Sequence, residues 1–362
     1  MEAELFNPYD LHPLASLNRR VIIALPGIEP DWIGQTGASL CSKRALIALI
    51  EQQAAALELE GVPPADFPRQ LNALLAGLEG PVRAQAEAIA RRHGQQIGYL
   101  IASILLAPGG LTTPLDPWEA AYLEHWRHEV TYIGLGGGRA NGLLGQWVAA
   151  AAEDVLQTCG LGQIRVEALP DPSYLPLSGA ARSISPGDWQ VAAVADFGGT
   201  HAKSGLAFYN EAGALLRLRV LPQVSTGGLS DPGQAGALAQ AIVAVLADAI
   251  RRAPPDLLLA PEVICSVAAY LEGGQPAITP GRSLGAYALR ELGDDLPTWF
   301  SAQLSAAGGR PLRLRFAHDC DIAAVALAGR PRSAVVMLGT ALGVGFVPPE
   351  VGLRATESIY TT

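Results

Sequence analysis

The chain has 362 residues, 49% of them hydrophobic and 16% charged, with a formal net charge of -9 and no charged low-complexity tract. That length and apolar fraction suit a folded globular protein with two lobes and real cores, and they exclude a disordered chain. The acidic balance disfavours a nucleic-acid protein, and the longest apolar run, residues 97–107, is too short to span a bilayer and contains Gly98 and Tyr99. The N-terminal residues are acidic and polar, with no pattern of a secretory signal, so the cytoplasm is the expected compartment. Cys41, Cys159, Cys265 and Cys320 are scattered without a Cys-x-x-Cys pair, which argues against a disulfide framework and a cysteine-rich zinc site.

Residues 1–35 carry little pattern. A short strand is expected over 20–25, closed by Pro26-Gly27. Ser39 or Ser42 caps a helix expected over 43–59, where apolar residues recur at helical spacing, and Gly61-Val62-Pro63-Pro64 breaks it. A short helix over 67–78 ends at Gly80. Pro81 then suits the first turn of a long helix to about residue 106, with the stripe Val82, Ile89, Ile97, Leu100, Ile101 and Ile104. His93 lies near that stripe and reads as a packing or boundary residue rather than a ligand. Residues 108–117 form a loop and 118–128 a surface helix. A strand over 130–135 runs into Gly136-Gly137-Gly138, and a helix follows over 141–159 with Gly160 as its stop. Glycines at such a turn let a flat base or ribose lie on the backbone, and the helix start offers free N–H groups. A short strand over 164–169 and a small-residue helix over 176–183 come next.

The stretch over 191–206 carries the most chemistry. Small and β-branched residues form a buried strand, and Asp196 stands where it turns. Gly198-Gly199 removes the Cβ atoms that keep a phosphate away from the backbone. The Thr200 hydroxyl and the Lys203 amine add donors to the same anion. Asp196 suits a hydrated magnesium ion, which uses few carboxylates and keeps most of its waters. The plain alternative is an ordinary Gly-Gly hairpin with a chance aspartate. Residues 204–209 return as a strand. Then come a helix over 234–252, a break at Pro254-Pro255, a strand over 257–267, a Gly/Pro-rich loop with a short helix over 271–296, a helix over 299–307 and a strand over 312–316. Residues 317–327 read Ala-His-Asp-Cys-Asp-Ile-Ala-Ala-Val-Ala-Leu, and residues 334–347 read as a strand, a Gly-Thr turn and a return strand.

Residues 196–203 resemble the first phosphate motif of the actin-like ATPase superfamily, which joins sugar kinases, heat-shock chaperones and actin. The likeness is greatest to bacterial glucokinases and the ROK family. Residues 317–327 resemble the ROK stretch Asn-Asp-Ala-Asn-Ala-Ala-Ala-Leu, residues 334–347 the second phosphate motif, and Gly136, Gly137 and Gly138 the adenosine motif. The resemblance implies an α/β, two-lobed actin-like ATPase (ribonuclease H-like) fold with a central interlobe cleft. The motif order is rotated, with the adenosine motif first, so a circular permutation is expected, joined by a short link at 185–188; a mis-joined chain is the competing account. One lobe then comprises residues 1–185 plus 333–362 and the other 186–332, with the strand near 20–25 joining the sheet of the 334–347 hairpin.

The resemblance also assigns roles. Gly198, Gly199, Thr200 and Lys203, with Gly339, Thr340 and Gly343, grip phosphates from two hairpins facing one another, and Asp196 holds Mg²⁺ through water. Gly136–Gly138 carry adenosine. Asp319 is the base for the acceptor hydroxyl or a helix N-cap, and Asp321 matches a family Asn or caps the same helix. His318 replaces the family Asn that binds the sugar, the Glu-x-Gly-His sugar motif and the cysteine-rich zinc loop are absent, and His12 is the one histidine in the right region. Ala341 and Val344 stand where glycines are usual. The implied activity is ATP- and Mg²⁺-dependent phosphorylation of a sugar or related small hydroxyl substrate. A non-catalytic sugar- or nucleotide-binding regulator and an ATPase acting on a protein partner are the other readings. Residues 1–60 show no basic recognition helix, so DNA is not an expected partner, nor is a membrane; a homodimer is left open.

Overall fold

A computed structural model describes residues 6–107, 116–227, 233–277 and 285–361. The loop expected over 108–117 and the middle of the one over 271–296 fall largely outside them. The helices are α1 Gly37–Cys41, α2 Lys43–Glu51, α3 Phe67–Leu75, α4 Pro81–Leu106, α5 Pro117–Glu129, α6 Gly142–Thr158, α7 Leu175–Arg182, α8 Ala235–Arg251, α9 Leu296–Gly308 and α10 Asp319–Val325. The strands are β1 Tyr132–Gly136, β2 Arg165–Ala168, β3 Val191–Phe197, β4 His201–Tyr209, β5 Leu215–Val220, β6 Val224–Ser225, β7 Glu262–Val267, β8 Leu271–Glu272, β9 Gln275–Pro276, β10 Arg313–His318, β11 Ser333–Leu338, β12 Leu342–Phe346 and β13 Thr356–Thr361. They pack into two α/β units, each drawn from separate stretches of chain: Met1–Pro8, Pro13–Ser173 and Arg332–Phe346 in the first, Tyr9–His12, Tyr174–Pro331 and Val347–Thr362 in the second.

In the first unit the sheet order is β12-β11-β1-β2, with β11, β1 and β2 parallel and β12 antiparallel to β11. β1 and β11 are buried along their whole length, as expected of central parallel strands covered on both faces. Helices α4 and α6 touch through small residues. A Cβ on Gly94 would sit 2.5 Å from the Val148 carbonyl oxygen, and one on Gly98 2.9 Å from that of Ala152. Glycine at these two sites therefore sets how closely the helices approach. The edge strand β12 has a side chain where a further strand would be: Asn18 donates through Nδ2 to the Leu342 carbonyl at 2.7 Å and accepts the Leu342 N–H through Oδ1 at 3.0 Å.

The second unit has a larger sheet in the order β10-β7-β3-β4-β5-β13, with β6 beside β4. β3, β4 and β5 form an antiparallel meander, while β7 and β10 run parallel to β3. All seven residues of β3 are buried, and they alternate between two cores. Val191, Ala193, Ala195 and Phe197 face a cluster with Leu246 and Phe300 of α8 and α9. Ala192 and Val194 face one with Leu177 and Ala180 of α7. Burying one such large side chain contributes about 1.5–3 kcal/mol, so the strand is anchored from both faces. Helix α7 lies against α10 so closely that a Cβ on Gly179 would collide with the Ile322 carbonyl.

Several expectations change. Residues 20–25 form no strand in the sheet; Val21 makes a single antiparallel bridge to Thr36. The helix expected over 43–59 stops at Glu51. Beyond it Leu57 and Leu59 are both buried, two residues apart, a spacing that a helix places on different faces. The chain instead turns, with Glu58 at φ 56°. Residues 174–185 and 347–362 pack with the second unit rather than with residues 13–173, because α7 fills the core under β3 and Arg354 reaches the carbonyls of Ile184, Ser185 and Gly187.

Candidate active site

In the second unit the C-terminal ends of the parallel strands β3, β7 and β10 lie along one sheet edge. This is where open α/β sheets characteristically offer ligand sites. Asp196 of β3 pairs in register with Ser266 of β7, which pairs in turn with Ala317 of β10. At the usual strand spacing this row is about 10 Å across. His318 ends β10 and Asp319 begins α10.

The Asp196 side chain is only 5% exposed and is held from two sides. Ser266 Oγ donates to its Oδ1 at 2.6 Å, and Lys203 Nζ pairs with its Oδ2 at 3.2 Å. A carboxylate has about four lone-pair sites, so two remain for the waters of a hydrated cation. Hard oxygen donors of this kind fit magnesium. Lys203 thus serves the carboxylate directly. The turn between β3 and β4 is closed by Gly198 N–H to the His201 carbonyl at 3.2 Å, and Thr226 donates to the Thr200 carbonyl through its N–H at 3.0 Å. A Cβ on Gly198 would meet nothing closer than the His201 carbonyl oxygen at 3.5 Å, so the protein's own packing does not require glycine there.

Asp319 is the first residue of α10, and its side chain makes no cap. His318 holds the N-cap position, also without a side-chain cap bond. Asp319 Oδ1 lies 3.3 Å from His318 Nε2 and accepts from Cys320 Sγ at 3.2 Å. Its side chain is 25% exposed, so one edge of the carboxylate is open. Burial raises its pKa above the ordinary aspartate value; the positive side of His318 opposes the rise, and the charges of Asp196 and Asp321 add to it. Asp321 caps nothing either: its Oδ2 accepts from His318 Nδ1 at 3.0 Å and from the Leu11 N–H at 3.3 Å. Burial works to lower the His318 pKa, but the carboxylates of Asp321, Asp319 and Asp10 outweigh it, and the net shift is upward. Tyr270 stacks on the His318 ring with centroids 4.4 Å apart. The segment Tyr9–His12 belongs to this unit and reaches the group through Asp10 and Leu11; His12, the next residue, is exposed.

The first unit holds the other predicted residues. Gly136 ends β1, and Gly137 takes φ 85° with its Cβ position 2.8 Å from the Leu338 backbone, a conformation and a contact that only glycine tolerates. Gly138 meets only Ser173 Oγ, 4.0 Å away. Gly339 and Thr340 lie in the turn between β11 and β12, closed by Gly339 N–H to the Ala341 carbonyl, and Gly343 pairs with Met337. A Cβ on Gly339 would meet only that Ala341 oxygen at 3.6 Å. The expected free N–H groups at the helix start are partly used: Asn72 Oδ1 accepts from Leu144 N–H at 3.0 Å.

Sequence reasoning missed Arg139, which joins the two glycine turns of this unit. It is 3% exposed and donates to the Gly339 carbonyl at 3.1 Å, to the Cys41 carbonyl at 2.6 Å and to His93 Nε2 at 2.8 Å. Burial lowers its pKa to about 10, and burial with the Arg139 charge drives His93 down to about 3, so His93 is a neutral acceptor. Ser266 and Tyr270 were also missed. The rule of strand C-terminal ends could have found Ser266; nothing local marks Tyr270. Compared with protein-family models, with curated proteins and with solved structures, the chain finds no match in any of the three.

Proposed function

We propose that the chain is an ATP-dependent kinase that phosphorylates a hydroxyl of a small substrate, a sugar being the first candidate. We read its two units as the lobes of an actin-like ATPase with rotated motif order. The observation that carries this reading is the shared sheet edge of Asp196 and Asp319, close enough that the charge of one raises the pKa of the other. The strand order of the second unit, an antiparallel meander followed by two parallel crossover strands, supports a ribonuclease H-like half. Gly198 and Gly339 support it as well, since neither is explained by the protein's own packing.

In this reading each residue has a chemical task. The turn at Gly198–Thr200 presents backbone N–H groups and a hydroxyl to phosphate oxygens. Lys203 and Ser266 fix the Asp196 carboxylate. Magnesium, held through its waters by Asp196, would neutralise charge on the phosphates. Asp319 accepts the proton of the attacking hydroxyl at its open oxygen, and its raised pKa brings it nearer the range where a base works best. His318, oriented by Asp321 and Tyr270, holds the other side of that carboxylate.

The test is incubation with Mg-ATP and a panel of hexoses, amino sugars and polyols, following ADP by coupled assay and product by phosphorus NMR. The expected result is acceptor-dependent ADP release matched by a phosphomonoester. ADP release that ignores every acceptor, or nucleotide binding without turnover, would overturn the kinase reading in favour of an ATPase or a regulator respectively.

A further inference from the structure

His318, Asp319 and Cys320 are consecutive, and their donor atoms converge instead of splaying apart. The change from strand to helix at this point makes that possible: β10 ends at His318 and α10 begins at Asp319, so successive side chains no longer alternate across a sheet. A ring nitrogen of His318, a carboxylate oxygen of Asp319 and Sγ of Cys320 all lie within 4.8 Å of one another. The Nε2 to Oδ1 distance is 3.3 Å and the Sγ to Oδ1 distance is 3.2 Å.

Those lengths can be set against a metal polyhedron. With zinc bonds of about 2.0–2.1 Å to nitrogen, about 2.0–2.2 Å to oxygen and about 2.3 Å to sulfur, the edges of a tetrahedron are about 3.3–3.5 Å for N to O and about 3.5 Å for S to O. Two of the three edges are therefore already near the required length. The third, from the His318 ring to Sγ, starts within 4.8 Å. The histidine is also prepared as a ligand. Its Nδ1 is engaged by Asp321 Oδ2 at 3.0 Å, and that carboxylate is itself anchored by the Leu11 N–H. A carboxylate on one ring nitrogen leaves the other as the lone-pair donor, the usual outer arrangement of a metal-binding histidine. Tyr270 stacks on the ring and holds its plane.

We propose that His318, Asp319 and Cys320 form a binding site for a zinc-class divalent cation, with Asp321 as the orienting carboxylate. On binding, the Cys320 thiol and the protonated form of His318 Nε2 give their protons to solvent, and the thiolate and the ring nitrogen take the metal. A nitrogen, an oxygen and a sulfur donor select zinc, cobalt or a similar ion and reject magnesium, which prefers oxygen alone. Three protein ligands leave the fourth position to water. Asp319 cannot ligate this ion and accept a substrate proton at once, so the two roles exclude each other at any moment. Sequence reading sought paired cysteines for zinc and had no reason to weigh a single one.

The proposal does not depend on the kinase reading, and its test uses neither nucleotide nor turnover. The full chain is stripped with chelator, freed of it, and titrated with Co²⁺ under reducing, anaerobic conditions. One equivalent should produce a near-ultraviolet thiolate-to-cobalt absorption together with intense visible bands of tetrahedral cobalt, and Zn²⁺ should displace both while excess Mg²⁺ should not. Cys320→Ser should lose the near-ultraviolet band, and Asp321→Asn should weaken Co²⁺ binding by about 10–100-fold. Because Cys320→Ser alters a buried position, anomalous diffraction from zinc-soaked crystals of the unaltered chain gives an independent location for the ion. No cobalt absorption, a thiolate band that persists in folded Cys320→Ser, or an ion located away from His318 would each overturn the proposal.

Discussion

A carboxylate next to a helix start is commonly a cap, and at Asp319 the two roles can be separated by one atom. No cap bond forms there, and the side chain instead meets His318 and Cys320. Asp319→Asn keeps the shape and a hydrogen-bonding oxygen but cannot take a proton. On the acceptor found for the wild type, turnover should fall by ~10²–10⁴-fold, the range for a lost general base, with ATP affinity and thermal midpoint close to wild type. Near-normal turnover would remove Asp319 from the mechanism. Asp196→Ala tests the neighbouring carboxylate: it strips Lys203 and Ser266 of their shared acceptor, and calorimetry should show that Mg²⁺ no longer strengthens nucleotide binding. Equal Mg-ATP affinity in both proteins would refute the metal role. Asp196 and Asp319 were legible in the sequence because each stands beside a local signal, a glycine turn or a strand-to-helix change. Ser266, Tyr270 and Arg139 were not, because their roles arise from register and packing that join distant segments.

End signals placed some elements almost to the residue and failed for the helix expected over 43–59, which stops at Glu51. The long helix opens at Pro81 and ends at Leu106, as its proline and apolar stripe indicate. β5 and β13 were not foreseen. β5 carries Arg217 and Arg219 among its apolar residues and becomes a strand by pairing with β4 on one side and β13 on the other. The expected strand over 20–25 failed for a related reason: the backbone of Arg20 and Ile22 pairs with residues 34–37, and the β12 edge is met at Leu342 by the side chain of Asn18. That substitution of one side chain for a strand is testable. Asn18→Ala leaves both polar groups of Leu342 without this partner and should cost about 1–3 kcal/mol. Asn18→Asp retains an acceptor for the Leu342 N–H but sets a carboxylate against its carbonyl, and should do no better than the alanine. Chemical denaturation of both variants gives the answer; a change within about 0.5 kcal/mol in Asn18→Ala, the range of an ordinary surface substitution, would show that the edge does not need this cover.

At the scale of the whole molecule, the two units are interleaved along one chain, so each can be perturbed through a segment that does not belong to the other. Acid does so through His93. An unfolded histidine binds its proton near pH 6.5, whereas buried His93 does so only at about 3. Between these values the unfolded state holds more protons, so the first unit loses stability as pH falls from 6.5 toward 3. His93→Gln keeps an acceptor for Arg139 and cannot titrate, so hydrogen exchange in α4 and α6 should rise less steeply with acid than in wild type; parallel pH dependence would rule out this origin. Truncation perturbs the units selectively. Residues 347–362 give the second unit β13 and Arg354, which donates to the carbonyls of Ile184, Ser185, Gly187 and Gly213 and lies over the Tyr209 ring. Its loss leaves the buried Ile184 carbonyl unpaired, at about 1–3 kcal/mol, and removes the tether on the exposed Ser185 and Gly187, in the 185–188 stretch that the permuted reading takes as a link. Deleting 347–362 should therefore speed exchange in β3, β4 and β5 and leave β1, α4 and α6 as protected as before. Deleting 332–362 removes β11 and β12 as well, two of the four strands of the first sheet and the parallel neighbour of β1, so protection of β1 and α6 should collapse too. If the shorter deletion unprotects both units alike, or the longer one spares β1, the chain is not assembled from these interleaved segments, and the permuted reading of its motifs falls with it.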